Sequence, residues 1–260
     1  MTNGRAGNDG PTRVAKTTMT SFEIVEALSE GERMGVSELA RTVGLAKGTV
    51  HKHLTTLHRL NYVVNEDGAY RLGLRFLGLG VGVRNTLPVH GHARRHLDAL
   101  AEATGEVASL VIPEHGYGVY VRMVTGERDG GPPYHEGERV YLHATAGGKA
   151  LLAYLPDEER ERILETRGLP PLTDNTITSR AELRTELQSI RDRRIAYDRE
   201  EHVEGWRCVA APITDAENRA VGAVSVSGPA ERMMDRTTDA DISGLLGSTA
   251  SAIQNKLLSP

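Results

Sequence analysis

Before residue 61 the apolar positions fall into three short helical runs. Between residues 18 and 29, Phe22, Ile24, Val25 and Leu28 recur at mostly helical spacing, and Gly31 ends the run. Leu39, Ala40 and Val43 turn inward on a second short helix, with Ser37 as its candidate N-cap and Gly44 as its stop. After a tight Leu45-Ala46 connection, Val50, Leu54, Leu57 and Leu60 form an i, i+4, i+7, i+10 stripe on a third helix. The pattern then favours strand over 62–64 and 69–72, around Asn65-Glu66-Asp67-Gly68 with its Asp-Gly turn signal. Helix, helix, turn, helix, hairpin is the order of a winged helix-turn-helix. The apolar stripe buries the inner face of the third helix and leaves its outer face to enter a DNA major groove.

Beyond the hairpin, residues 72–83 are apolar and Gly-rich, and taken alone read as a buried strand as readily as a helix. Pro88 breaks that run. An amphipathic helix is predicted over 92–104 through Ala93, His96, Leu97, Leu100 and Ala101, stopped at Gly105. Strands are predicted over 107–112, 118–124, 208–213 and 220–227, with a loop over 126–137 carrying Pro132-Pro133. Helices are predicted over 150–154, 157–166, 181–191 and 239–256. The fold class is α+β: an antiparallel sheet flanked by helices behind the DNA-binding region, an arrangement that suits a sensor or an enzyme equally well.

Charge sharpens the first half of this picture. Residues 1–87 carry 11 Lys and Arg against 8 Asp and Glu, whereas residues 88–260 carry 20 against 27. No acid lies between Arg41 and Asn65, so the third helix presents its cations in a field suited to a polyanion. Lys47, Thr49 and His51 sit early on that helix, where base edges are read. Lys52, Arg59 and the hairpin's Arg71 are placed for phosphates, with Thr55 at the border of the polar face. Cys208 is the single cysteine, which excludes a disulfide framework and every cysteine-rich metal arrangement. His90, His92 and His96 lack a carboxylate partner in the pattern, so neither metal nor cofactor is expected. With no apolar run long enough for a membrane span and no secretory signal pattern, the expected location is the cytoplasm, with no membrane partner.

Three stretches carry a resemblance. Residues 44–80, GLAKGTVHKHLTTLHRLNYVVNEDGAYRLGLRFLGLG, are similar to the DNA-binding domain of the IclR family of bacterial and archaeal transcriptional regulators. Residues 140–156, VYLHATAGGKALLAYLP, and 197–212, YDREEHVEGWRCVAAP, resemble that family's ligand-domain signatures, and VGAVSVSGP at 221–229 continues them. Ala46 and Gly48 depart from the pattern, which often has a hydroxyl residue and a serine there; Ala46 cannot cap the recognition helix through its side chain. The Gly-, Asn-, Asp- and Thr-rich start predicts a flexible tail over 1–16 and the helix and hairpin order a winged helix-turn-helix over 17–72, while the resemblance implies a linker helix region over 73–90 and a GAF-like effector domain over 91–260. It also implies an effector pocket of Asp198, Cys208, Ser225 and Ser227, with Ala146 and Gly147 offering backbone N–H groups to an acid.

The pocket's chemistry is coherent in itself, since Ser225 and Ser227 are two apart on a strand and point to one face. The expected partners are therefore double-stranded operator DNA, a small organic metabolite bearing a carboxylate, and further copies of this chain as a homodimer or dimer of dimers. The expected activity is regulatory rather than enzymatic. Two alternatives stand beside it: a hydrolase or amidase drawing on Cys208, His143, His202, Asp198 and Ser227, and a ligand-independent architectural DNA binder.

Overall fold

The computed structural model describes residues 14–259 apart from 32, 129–130 and 235, and most of the tail expected over 1–16 lies outside the described residues. The chain divides into two compact units, Met1–Gly82 and Val83–Pro260.

In the first unit, α1 (Lys16–Glu30), β1 (Met34–Gly35), α2 (Val36–Thr42) and α3 (Lys47–Arg59) precede the hairpin β2 (Val63–Glu66) and β3 (Ala69–Leu72). Strand β3 lies between β1 and β2, antiparallel to both. Asp67 and Gly68 take φ of +54° and +88°, the positive pair that a two-residue hairpin turn requires. Ile24, Leu28, Leu39, Val50, Leu54, Val63 and Tyr70 close the core. Three expectations need correction. Gly35, not Ser37, is the N-cap of α2, because the chain arrives in β1 and leaves Ser37 inside the first turn. Phe22 and Leu60 point outward, 57% and 50% exposed, because α1 and the end of α3 outrun the small core.

Helix α4 (Arg75–Asn85) crosses the boundary between the units and has no buried residue. Pro88 does not merely end it: Pro88 opens α5 (Pro88–Thr104), where its missing N–H costs nothing. Then come β4 (Val107–Glu114), β5 (Tyr117–Val124), β6 (Arg139–Tyr141), α6 (Ala146–Ala153), α7 (Asp157–Arg167) and α8 (Arg180–Arg193). The chain continues through β7 (Ala196–Arg199), β8 (Trp206–Thr214), β9 (Ala220–Pro229), α9 (Ala230–Met233) and α10 (Arg236–Leu258). The sheet order is β6-β5-β4-β9-β8-β7, every pair antiparallel.

Both faces of this sheet are covered. Leu110, Val209, Ala211, Val224 and Val226 pack against α5 and α10, while Val111, Cys208, Ala210 and Ala223 pack with α6 and α8. Coverage on both sides explains why β8 and β9 read as continuous apolar runs rather than alternating ones.

Candidate functional site

Two rows of side chains cross the α6 face of the sheet. Register places Asp198 opposite Cys208, Cys208 opposite Ser227 and Ser227 opposite Val107. The neighbouring row runs Ala210, Ser225, Ser109, Met123. Directly paired residues share a face, as do residues two apart, so Asp198, Cys208, Ser225, Ser227 and Ser109 form one polar patch on an otherwise apolar face. A bulge between Leu110 and Val111 shifts the β4–β5 register and brings Tyr120 and Met123, three apart, onto this same face.

Helix α6 closes the patch from above. Thr145 caps it, its Oγ1 accepting from the Gly148 N–H at 3.0 Å, and the first intrahelical bond runs from Lys149 N to the Thr145 carbonyl. The N–H groups of Ala146 and Gly147 thus precede the helical ladder at the positive end of the helix dipole. Both residues are buried, and a Cβ on Gly147 would press on the Val111 side chain of the patch's face. Gly148 has no substitute: any Cβ there would collide with the Leu142 backbone.

The charges here are buried. Asp198 is 4% exposed and its Oδ1 accepts from the N–H groups of Glu201 at 2.8 Å and His202 at 3.4 Å. Burial, aided by the Glu201 charge, raises its pKa to about 7, against the opposing pull of those N–H groups and of Lys149. Lys149, wholly buried, donates to both Glu201 oxygens at 2.6 Å, and burial still pushes Glu201 above the usual carboxylate range. Burial and the nearby Asp198 push the Cys208 thiol far up, so it stays protonated. Buried His143 bonds through Nε2 to the Pro170 carbonyl. A protonated thiol and a histidine committed elsewhere do not make a nucleophile and its base.

Sequence reasoning missed four side chains of this site. Tyr134 stacks on Tyr120, with centroids 4.7 Å apart, and donates to Ser227 Oγ at 2.7 Å, while Trp206 Nε1 donates to the Tyr134 hydroxyl at 3.1 Å. Ser109 is 1% exposed, and among the described residues its hydroxyl has no partner; nor has the buried Nδ1 of His202. Only the strand register and the bulge bring Ser109 and Tyr120 to the patch, and no sequence spacing encodes either.

In the first unit, α3 presents Lys47, Thr49, His51, Lys52, Thr55 and Arg59 at exposed positions. Ala46 is the N-cap with no side-chain cap bond. Arg71 is partly committed: it reaches Glu66 at 2.7 Å and donates through another nitrogen to the Leu72 carbonyl. Beside α3, a groove of about 520 Å³ is lined by Phe22, Leu57, Leu60, Tyr62, Phe76 and Leu79 among others. Among the described residues no group of three or more His, Cys, Asp or Glu could hold a metal ion, and no helix is long and apolar enough to cross a membrane.

Residues 20–67 match the IclR helix-turn-helix domain and residues 82–255 match the C-terminal domain of the bacterial transcriptional regulator IclR. The glycerol operon regulatory protein of Streptomyces griseus is 36% identical over 81% of this chain and 83% of its own length. The crystal structure of the Thermotoga maritima IclR superposes with a TM-score of 0.78 at 32% identity, covering 93% of this chain and 98% of that one. An IclR homolog from Microbacterium hydrocarbonoxydans, complexed with 4-hydroxybenzoate, superposes with a TM-score of 0.76 over 91% of this chain and 98% of its own. At 20% identity that likeness speaks for the fold alone.

Proposed function

The chain belongs to the IclR family of DNA-binding transcriptional regulators, and on that premise we propose that it reads operator DNA with α3 and answers to a small carboxylate metabolite held under α6. Residues 17–72 are assigned to DNA reading, 73–90 to the linker and 91–260 to a GAF-like effector domain. Lys47, Thr49 and His51 take base edges; Lys52, Arg59 and Arg71 take phosphates, Arg71 by exchanging Glu66 for the DNA. Two copies pair through the exposed apolar surface of α1 and α4, which matches a two-fold operator. The ligand shifts DNA occupancy only by its differential affinity for the two arrangements of the assembly.

One observation carries the effector reading: the hydroxyls of Ser225, Ser227 and Ser109 are buried on the sheet face that α6 covers, and that of Ser109 has no partner among the described residues. Hydroxyl donors and a helix N-terminus together suit a carboxylate. With its pKa raised to about 7, Asp198 takes up a proton within the neutral range, and in that form it donates to such a ligand instead of repelling it. Calorimetric titration with aromatic acids (4-hydroxybenzoate among them), short oxoacids and sugar acids identifies the ligand. The Ser225→Ala/Ser227→Ala variant then binds it more weakly by about 2–4 kcal/mol, from two hydrogen bonds to a charged group. The ligand-free variant still binds operator DNA, because α3 and the hairpin are untouched. Equal ligand affinities in parent and variant return both serines to ordinary strand residues.

A further inference from the structure

We propose that Tyr134 is the resident occupant of the effector site and that Glu136 ties it to Arg84, so that vacating Ser227 loosens the last turn of α4. The inference rests on the reading of Ser227 as an effector residue and adds how its occupancy is relayed.

Tyr134 is held like a ligand. It is 7% exposed, its ring lies flat on Tyr120 with an interplanar angle of 9°, and its hydroxyl both donates to Ser227 and accepts from Trp206. The phenol takes an acceptor site of Ser227 Oγ and leaves its O–H free, so a ligand competes with Tyr134 for the space beside Ser227 and not for the serine's proton.

Two residues on, Glu136 has two anchors of its own. Oε1 accepts from the Met123 N–H at 2.9 Å and Oε2 accepts from Arg84 at 2.6 Å. Met123 is the residue of β5 opposite Ser109, so one anchor sits on the site's own row. Arg84 is in the last turn of α4. Tyr120 joins the two ends of the segment: its ring holds the Tyr134 ring, its carbonyl accepts from Gly137 N at 2.7 Å, and its N–H donates to the Glu138 carbonyl at 3.2 Å. Two residues of chain span at most about 7 Å, so Tyr134 cannot withdraw by the length of its ring without pulling Glu136. The Arg84–Glu136 pair is partly exposed, which sets the coupling at a few-fold rather than all-or-none.

Such coupling is reciprocal, and both directions can be read on the full-length protein without any ligand. Trp206 is the single tryptophan, and its indole N–H bonds to the Tyr134 hydroxyl, so its emission reports where Tyr134 is. Arg84→Gln and Glu136→Gln, both at partly exposed side chains, should move Trp206 emission to longer wavelength as water replaces the phenol, and Arg84→Lys should restore it. In the other direction, Tyr134→Ala should speed amide hydrogen exchange a few-fold over residues 83–87 and leave α8 at parental rates. If Tyr134→Ala does not fold, Tyr134→Phe, which keeps the ring and loses both hydroxyl bonds, is read in its place. Parental emission in the two glutamine variants, or parental exchange at 83–87 in the tyrosine variant, overturns the proposal. Because no ligand enters, failure here leaves the effector site standing, and a chain that bound no carboxylate would leave this result standing.

Discussion

Asp198 carries its proton well into the range where an exposed aspartate has lost it. Its folded pKa is raised to about 7 from 3.8, chiefly by burial, with the charge of Glu201 adding and Lys149 opposing. The folded state therefore binds more protons than the unfolded chain between those values, and stability falls as pH rises through that window, then levels off above it. The slope is at most about 1.4 kcal/mol per pH unit. Buried His143 and His202, with lowered pKa, tilt the curve the other way, so the informative quantity is a difference between variants. Urea unfolding at intervals from pH 5 to 8 should show Asp198→Asn gaining on the parent as pH rises, and a constant difference between the two would place the titration elsewhere. At this scale the sequence shows Asp198, Cys208, Ser225 and Ser227 through likeness to a family. It hides Ser109 and Tyr134, because they reach the patch through strand register and through a hydroxyl contact between residues far apart in the chain.

Helix α3 is an element whose start is weak and whose outer face is strong. Ala46 has extended cap geometry, φ −65° and ψ 139°, without a side-chain bond, and a Cβ on Gly48 would meet nothing within 4 Å. Ala46→Ser should therefore stabilise the first unit by about 0.5–2 kcal/mol and Gly48→Ala by up to about 1 kcal/mol, read by thermal unfolding. On the outer face, Lys52→Ala and Arg59→Ala should each lower the logarithmic salt slope of DNA binding by about 0.9 and weaken specific and random duplexes alike. Lys47→Ala and His51→Ala should instead change the order of preference among operator variants in a sequence-selection assay. Long periodic elements such as α3 and α5 are legible from their stripes. Strands β1, β6 and β7, of 2, 3 and 4 residues, are not; such lengths hold too little of a period-two pattern to stand out without a turn signal like the Asp67-Gly68 that marks the equally short β2 and β3.

For the whole molecule, the telling surface is apolar. Leu74, Leu77, Leu79 and Val83 are each at least half exposed around α4, and Phe22 and Met19 are likewise exposed on α1. Patches of this kind mark association. Leu77→Glu should leave the fold of the second unit intact and shift the assembly toward monomer in sedimentation; an unchanged sedimentation coefficient would move the pairing surface off α4. The two-unit organisation is visible in the sequence as a change of rhythm after the hairpin. Residues 72–83 stay ambiguous there because α4, which takes most of them, has no buried residue, and periodicity is a signal of burial.

That bare helix has a consequence for how much protein a cell must hold. Arg75 and Phe76 fasten the first turn of α4 against Tyr62, and Arg84 fastens the last to Glu136. The turns between contain Gly78, Gly80 and Gly82 and no buried side chain. An 11-residue helix is marginal alone in water, and each interior glycine costs about another 1 kcal/mol relative to alanine. If copies pair through α4 as proposed, α4 should fray below the pairing concentration, and amide hydrogen exchange over residues 75–85 that does not change with protein concentration would remove α4 from the pairing. Operator occupancy should then climb more steeply than in proportion to the number of chains synthesised. A regulator that pairs this way would carry a dosage threshold in a helix without a buried side chain, separate from any threshold set by a metabolite.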